Sequence, residues 1–99
     1  MKTPKELHIR WMIQPDLRQV VAIERAGFDR PWTEPDFRTC LAERSRIAMV
    51  AEGRTGIVGF FLYELQAAQL ELLNFAVAPA HRRTGVRRLM ADKMVFKAA

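Results

Sequence analysis

The sequence has few of the residues that cross-link small proteins or bind metals. Its 99 residues include one cysteine, Cys40, and two histidines, His8 and His81. A single cysteine excludes a disulfide within the chain and a zinc site made of cysteines alone. The two histidines are far apart and have no spacing typical of a metal site or a catalytic triad. We therefore expect Cys40 in the core and both histidines at the surface.

A long hydrophobic run is also absent. The longest one, Ile57–Tyr63, is far shorter than the roughly 20 residues that a membrane-spanning helix needs. Residues 1–10 contain no apolar segment typical of a signal peptide. The sequence therefore predicts a protein without membrane attachment, located in the reducing cytoplasm.

Length and composition predict one small globular domain over residues 1–99. Two independent domains do not fit into this length, and 49% hydrophobic residues with charges of both signs exclude intrinsic disorder. A chain of this size buries only about two thirds of the surface that its unfolded form exposes, so the core should be thin.

Hydrophobic periodicity predicts the order strand, helix, helix, three strands and helix. The predicted elements are a strand at 7–13, helices at 15–27 and 33–41, strands at 46–52, 57–65 and 70–77, and a helix at 83–99. Thr33 and Asp36 have the spacing of a helix-capping box. Glu24 falls on the polar side of the first helix. The fold class is α/β in the broad sense, or α+β by layer, with a mainly antiparallel sheet.

Positive charge is concentrated after the last predicted strand. The segment from His81 to Arg88 contains Arg82, Arg83, Arg87 and Arg88 and no acidic residue, while the net charge of the whole chain is +5. Gly85 falls in the first turn of the following helix. The N–H groups at a helix start can receive phosphate, and arginines add full charges. This predicts a pyrophosphate site, with a solvated basic turn as the alternative that composition leaves open.

The segment is neither a Walker loop nor a three-glycine dinucleotide motif. Strand Asn74–Pro79, followed by Arg82-Arg83-Thr84-Gly85-Val86-Arg87, instead resembles the acetyl-CoA motif of the GNAT N-acetyltransferases, Arg/Gln-x-x-Gly-x-Gly/Ala. Residues Ile23–Phe28 and Pro31–Phe37 resemble the N-terminal half of the RimI group, which acetylates the N-terminal alanine of a small-subunit ribosomal protein. The resemblance extends from about Ile9 to about Lys97.

This resemblance implies an acetyl-CoA-dependent N-acetyltransferase that acts on the N-terminal amine of a protein or peptide. The pantetheine arm would pair like an extra strand beside Leu70–Val77, and the amine would attack the thioester directly. The implied cofactor-binding residues are Phe75, Ala76, Val77, Arg82, Arg83, Thr84, Gly85, Val86, Arg87 and Arg88. Phe28 and Trp32 are candidates for the acceptor groove, and core packing is an equally good interpretation of both.

Two departures from the motif bear on activity. Arg87 stands where the family has glycine or alanine. It either fills the site or clamps the anion, and we expect the first, so that cofactor binding is weakened. The sequence ends at Ala99, where the family continues with a strand, a helix and a strand pair that carry its glutamate base and its tyrosine. Glu71 occupies the strand position that supplies the glutamate in the histone-acetyltransferase branch. The alternative for Glu71, which we favour, is an outward strand residue.

Two other functions remain as alternatives. A catalytically inert GNAT remnant would act by association, as a homodimer through the exposed edge of Leu70–Val77 or by complementation with a separate C-terminal fragment. The second alternative is a nucleic-acid-binding protein, an interpretation supported only by the arginine cluster and the basic character of the chain. The sequence lacks the interleaved aromatic residues of a single-strand platform, so we do not expect nucleic acid as a partner.

Overall fold

The computed structural model describes residues 7–82 and 85–98, and its helices and strands follow the predicted order. They are β1 (His8–Trp11), α1 (Leu17–Gly27), α2 (Glu34–Leu41), β2 (Arg46–Gly53), β3 (Gly56–Gln66), β4 (Gln69–Val77) and α3 (Val86–Ala98). Short 3-10 helices at Gln14–Asp16 and Pro79–His81 precede α1 and α3. The predicted α/β class is confirmed.

The strands form an antiparallel sheet in the order β1-β2-β3-β4. Helices α1 and α2 pack on one face of this sheet and α3 packs on the other. Strand β3 is buried from Ile57 to Tyr63 because both of its faces are covered, which explains its nearly continuous apolar sequence. In the described part of the chain, β4 forms one edge of the sheet.

Strand β4 contains an irregularity that the sequence pattern did not indicate. Leu62 pairs with Asn74, whereas the next residue of β3, Tyr63, pairs with Leu72. Leu73 is therefore an extra residue on β4, a β-bulge that bends the strand and changes the alternation of its side chains. After the bulge, Asn74 and Ala76 belong to the face covered by α1.

The last helix begins later than predicted. We expected it from Arg83 with Gly85 in its first turn, but Gly85 has φ +85° and α3 starts at Val86. A right-handed helix requires negative φ, so Gly85 lies before the helix and not inside it. The carbonyl of Gly85 accepts the first helical hydrogen bond, from the N–H of Leu89 at 3.1 Å.

Burial agrees with most single-residue predictions. Cys40 is buried in the core between α2 and the sheet, and His8 is exposed. His81 is half-buried, so its predicted surface position is only partly correct. No helix in the ranges given above is long and apolar enough to cross a membrane.

A charged cluster connects β1 to the start of α1. The guanidinium of Arg10 donates to both oxygens of the buried Asp16 carboxylate, at 2.8 and 2.9 Å, and its Nε donates to Glu52 at 3.0 Å. The N–H of Ile13 donates to the same carboxylate at 2.8 Å. The hydrogen bonds from Arg10, assisted by that from Ile13, hold the pKa of Asp16 below its ordinary value. The cluster therefore stabilises the fold when Asp16 is ionised.

We predict that Asp16→Asn lowers the free energy of unfolding at pH 7 by about 1–3 kcal/mol. A carboxyl whose folded pKa is depressed stabilises the protein above its unfolded pKa, and this contribution is lost as the pH falls through the folded pKa. The difference between parent and variant should therefore shrink as the pH falls from about 5 to 3. Urea denaturation at a series of pH values measures it.

Glu34→Gln is the matched control. It removes an exposed pair with Arg38 on one turn of α2, and we expect a change below about 0.5 kcal/mol. A difference between Asp16→Asn and the parent that does not vary with pH would contradict the role assigned to the Asp16 charge.

Candidate functional site

A cleft of about 310 Å³ lies along the carboxyl-terminal half of β4. We call it the β4-edge cleft, and its lining residues are Gly27, Phe28, Phe75, Ala76, Val77, Arg82 and Arg87. Five of them were predicted as cofactor-binding residues, and Phe28 was predicted on the acceptor side. The end of α1, the edge of β4 and the start of α3 thus meet at one place.

The backbone of β4 presents polar groups to this cleft. The N–H of Ala78 donates to the carbonyl of Val58 at 2.7 Å, which identifies a hydrogen-bonded pair between β4 and β3. Because such pairs alternate along an antiparallel ladder, Ala76 bonds toward β3. The N–H and C=O groups of Phe75 and Val77 therefore point away from β3, to the open edge.

Arg82 lines the cleft and also forms hydrogen bonds with two of the elements around it. Its Nε donates to the carbonyl of Val77 at 3.1 Å, and its Nη2 donates to the carbonyl of Ala26 at 3.4 Å. A cation at this place also interacts favourably with the carboxyl end of α1. Arg82 therefore uses part of its hydrogen-bonding capacity to hold α1 against β4.

Arg87 lines the cleft next to Phe75. Its guanidinium carbon is 5.6 Å from the centroid of the Phe75 ring, a cation–π distance. The motif has glycine or alanine at this position. The side chain of Arg87 therefore occupies space beside β4 that a smaller residue would leave open.

The start of α3 offers backbone groups more than side chains. Gly85 is needed for its positive φ and not for space, because a Cβ there would meet no atom of the described residues within 4 Å. Val86 is buried in the core, so only its backbone can contact a ligand. Arg88 is exposed. Arg83 and Thr84 lie outside the described residues.

The remaining predicted residues lie elsewhere. Glu71 is exposed on β4, opposite Glu64 of β3, and does not line the β4-edge cleft. Trp32 packs against Phe37 with ring centroids 5.2 Å apart. It lines a second cavity of about 480 Å³, together with Asp36, Thr39, Cys40, Arg46 and Leu73. The structure thus separates Phe28 from Trp32.

One residue of the site was misassigned from the sequence. We expected Glu24 on the polar face of α1, but it is 2% exposed. One carboxylate oxygen accepts the N–H of Trp32 and the other accepts Nδ2 of Asn74, both at 2.8 Å. The feature of the sequence that indicates burial of Glu24 is its position four residues after Val20, which is buried on the same face of the helix.

In the parts of the chain described here, no three His, Cys, Asp or Glu side chains lie close enough together to hold a metal ion. The arrangement suits an elongated ligand with amide groups and an anionic end. Backbone groups at a strand edge can pair with amides, and the arginines and the start of α3 can face an anion.

Sequence comparison finds no match to a protein-family model or to a curated protein. Comparison of structures does find matches. The ribosomal-protein-S18-alanine N-acetyltransferase from Escherichia coli superposes with a TM-score of 0.84 at 20% identity over 93% of this chain. Ard1 from Thermoplasma volcanium gives 0.83 at 23% identity over 94%, and Arabidopsis thaliana NAA60, solved with a bisubstrate analogue, gives 0.76 at 15% over 92%.

This chain spans 59%, 64% and 66% of the length of these three proteins. Other matches include acetyltransferases of the GNAT family from Desulfovibrio desulfuricans and Staphylococcus aureus. Identities this low show the fold alone. Over nearly its whole length, the chain has the fold of the GNAT acetyltransferases.

Proposed function

We propose that this chain binds acetyl-CoA in the β4-edge cleft and provides the cofactor-binding part of a GNAT N-acetyltransferase. The observation that carries the proposal is the convergence of three features on one edge. These are the outward backbone groups of Phe75 and Val77, the flanking arginines, and the start of α3.

The residues present fit such a ligand. Pantetheine contains two amides, which suit pairing with the outward groups of β4 as an added strand. The start of α3 at Gly85 and Val86, with the exposed Arg88, suits the pyrophosphate. Acetyl-CoA supplies an activated acetyl thioester, and the protein must hold it beside a deprotonated amine.

We infer that the acceptor is an N-terminal amine, as in the RimI group. Support comes from the E. coli neighbour, which is named for the ribosomal protein alanine that it acetylates. The cavity beside Trp32 and the bulged residue Leu73 lies on the α2 side of β4 and provides a place for such an acceptor. Glu71 is the candidate base that the sequence offers, but we favour an outward strand residue without a catalytic role, because Glu71 is exposed and does not line the β4-edge cleft.

Association through β4 is the second candidate function. The amino-terminal half of this strand carries exposed leucines, with Leu70 36% and Leu72 47% exposed, next to an edge that the sheet leaves open. An open apolar edge favours pairing with a second copy of the chain. Such pairing would cover the backbone groups of β4 that acetyl-CoA needs. A second copy of the chain and acetyl-CoA should therefore compete for this edge.

Calorimetry with acetyl-CoA tests the cofactor site. We expect micromolar binding by the parent chain. Arg87→Ala should bind about two- to five-fold more tightly, because the ligand need not displace a guanidinium from the Phe75 ring, a contact worth about 0.5–1 kcal/mol. Arg18→Ala, which removes an exposed arginine from α1, is the control and should match the parent.

Either of two results would count against this account. Weaker binding by Arg87→Ala would mean that Arg87 clamps the anion. Failure of parent, Arg87→Ala and control alike to bind would refute the cofactor site.

Light scattering after gel filtration tests the association. We expect a dimer at low micromolar concentration that dissociates when acetyl-CoA saturates the cleft. Leu72→Lys should be monomeric, because it places a charge on the paired edge. Trp11→Lys is the matched control, since Trp11 is 62% exposed on the opposite edge strand, and it should remain dimeric. A monomeric parent chain rejects the dimer.

A further inference from the structure

The side chain of Asn74 covers one of the polar groups that the cofactor strand presents. Its Oδ1 accepts the N–H of Phe75 at 2.8 Å. That N–H points to the open edge of β4, where the proposed function places the pantetheine arm of acetyl-CoA. We place the thioester carbonyl, at the end of this arm, beside the same N–H. The protein therefore supplies from its own side chain the acceptor that a bound ligand would otherwise supply.

Glu24 determines how the amide of Asn74 is oriented. The Glu24 carboxylate is buried and can only accept hydrogen bonds, so Asn74 must turn its NH2 toward Glu24. The oxygen of the same amide then has to face Phe75. A reversed amide would place an oxygen against a carboxylate and an NH2 against the N–H of Phe75, and the buried Glu24 carboxylate would lose one of its hydrogen-bond donors.

The same carboxylate holds the link between α1 and α2. Its second oxygen accepts the N–H of Trp32 at 2.8 Å. Hydrogen bonds thus run without interruption from Trp32 through Glu24 and Asn74 to Phe75. They connect the proposed acceptor side of the molecule with the proposed cofactor strand.

We propose that Asn74 and Glu24 are positioning residues that control access to the N–H of Phe75. Asn74 covers this donor in the ligand-free protein. Glu24 fixes the orientation of the Asn74 amide while it also accepts the hydrogen bond from the N–H of Trp32. An acetyl thioester that uses the donor must first displace Oδ1 of Asn74. The inference rests on the proposed function, because it concerns the same strand edge.

The order of donors and acceptors suggests a reciprocal exchange as a test. Each end of the hydrogen-bonded series is a backbone donor, so the side chains at positions 24 and 74 need three acceptors and one donor between them. Glu24 with Asn74 meets this requirement, and so does the double variant that combines Glu24→Gln with Asn74→Asp. Glu24→Gln alone supplies one donor too many, and Asn74→Asp alone places two carboxylates against each other. Only the double exchange restores every hydrogen bond.

Hydrogen exchange at the Phe75 amide measures how well Asn74 covers this N–H without any ligand. Every protein compared carries Leu72→Lys, so that pairing of β4 with a second copy cannot protect the amide. We expect exchange several-fold faster than in the parent for Asn74→Ala and Glu24→Gln, and exchange at or below the parent rate in the double exchange. Exchange at the parent rate in Glu24→Gln would overturn the role of Glu24.

Binding measures the consequence for the proposed function. The readout is the ratio of the Kd for coenzyme A to the Kd for acetyl-CoA, since only acetyl-CoA carries the thioester carbonyl. We expect Asn74→Ala to raise this ratio about five-fold over the parent, which corresponds to one hydrogen bond of about 1 kcal/mol. The double exchange should keep the ratio at or below the parent value, because a charged acceptor holds the N–H more strongly.

Ile47→Ala is the control for a loss of stability alone. Ile47 lies on β2, away from the edge, and its truncation should change both Kd values by the same factor. An unchanged ratio in Asn74→Ala, with both ligands still binding, would overturn the inference and leave the proposed function intact. If neither coenzyme A nor acetyl-CoA binds to the parent, both the proposed function and the inference are rejected.

Discussion

An edge strand has a row of backbone N–H and C=O groups that its own sheet cannot pair, and this constraint shapes the whole candidate site. On β4 the row includes the outward groups of Phe75 and Val77. The protein satisfies one group at each of these residues from within, through Asn74 at the first and Arg82 at the second. The end of α1 and the start of α3 then enclose the edge without covering it. The result is a protected edge that a ligand of suitable shape can still reach.

Much of the fold could be predicted because its signals are local. The alternation in β1, the buried run in β3 and the capping box at Thr33 each depend on residues within a few positions. Phe75 and Val77 were predicted at the site only through the resemblance to a known family. Prediction of the cleft needed one long-range fact, the return of α1 to the end of β4. Neither periodicity nor the resemblance to a known family contained that fact, although the resemblance did imply five of the residues that line the cleft.

Prediction from the sequence failed where a long-range contact overrides a local preference. Glu24 looks like a surface residue of an amphipathic helix, and only its partners at Trp32 and Asn74, 8 and 50 residues away, make its burial favourable. The bulge at Leu73 depends on how β3 and β4 align, which neither strand shows alone. The helical spacing of its neighbours placed Gly85 inside a helix. Its left-handed backbone depends instead on how the chain turns from β4 into α3.

The hydrogen bonds of Arg82 to Val77 and Ala26 couple the binding of an anion in the cleft to the local stability of the end of α1. The same guanidinium closes the end of α1 at Ala26 and lines the cleft. An anion that draws Arg82 toward itself removes the hydrogen bond that supports this last helical turn. The observed affinity for such an anion is then its intrinsic affinity, reduced by the free energy of fraying α1. Residues at the end of α1 that never touch the ligand can in this way set how tightly it is held.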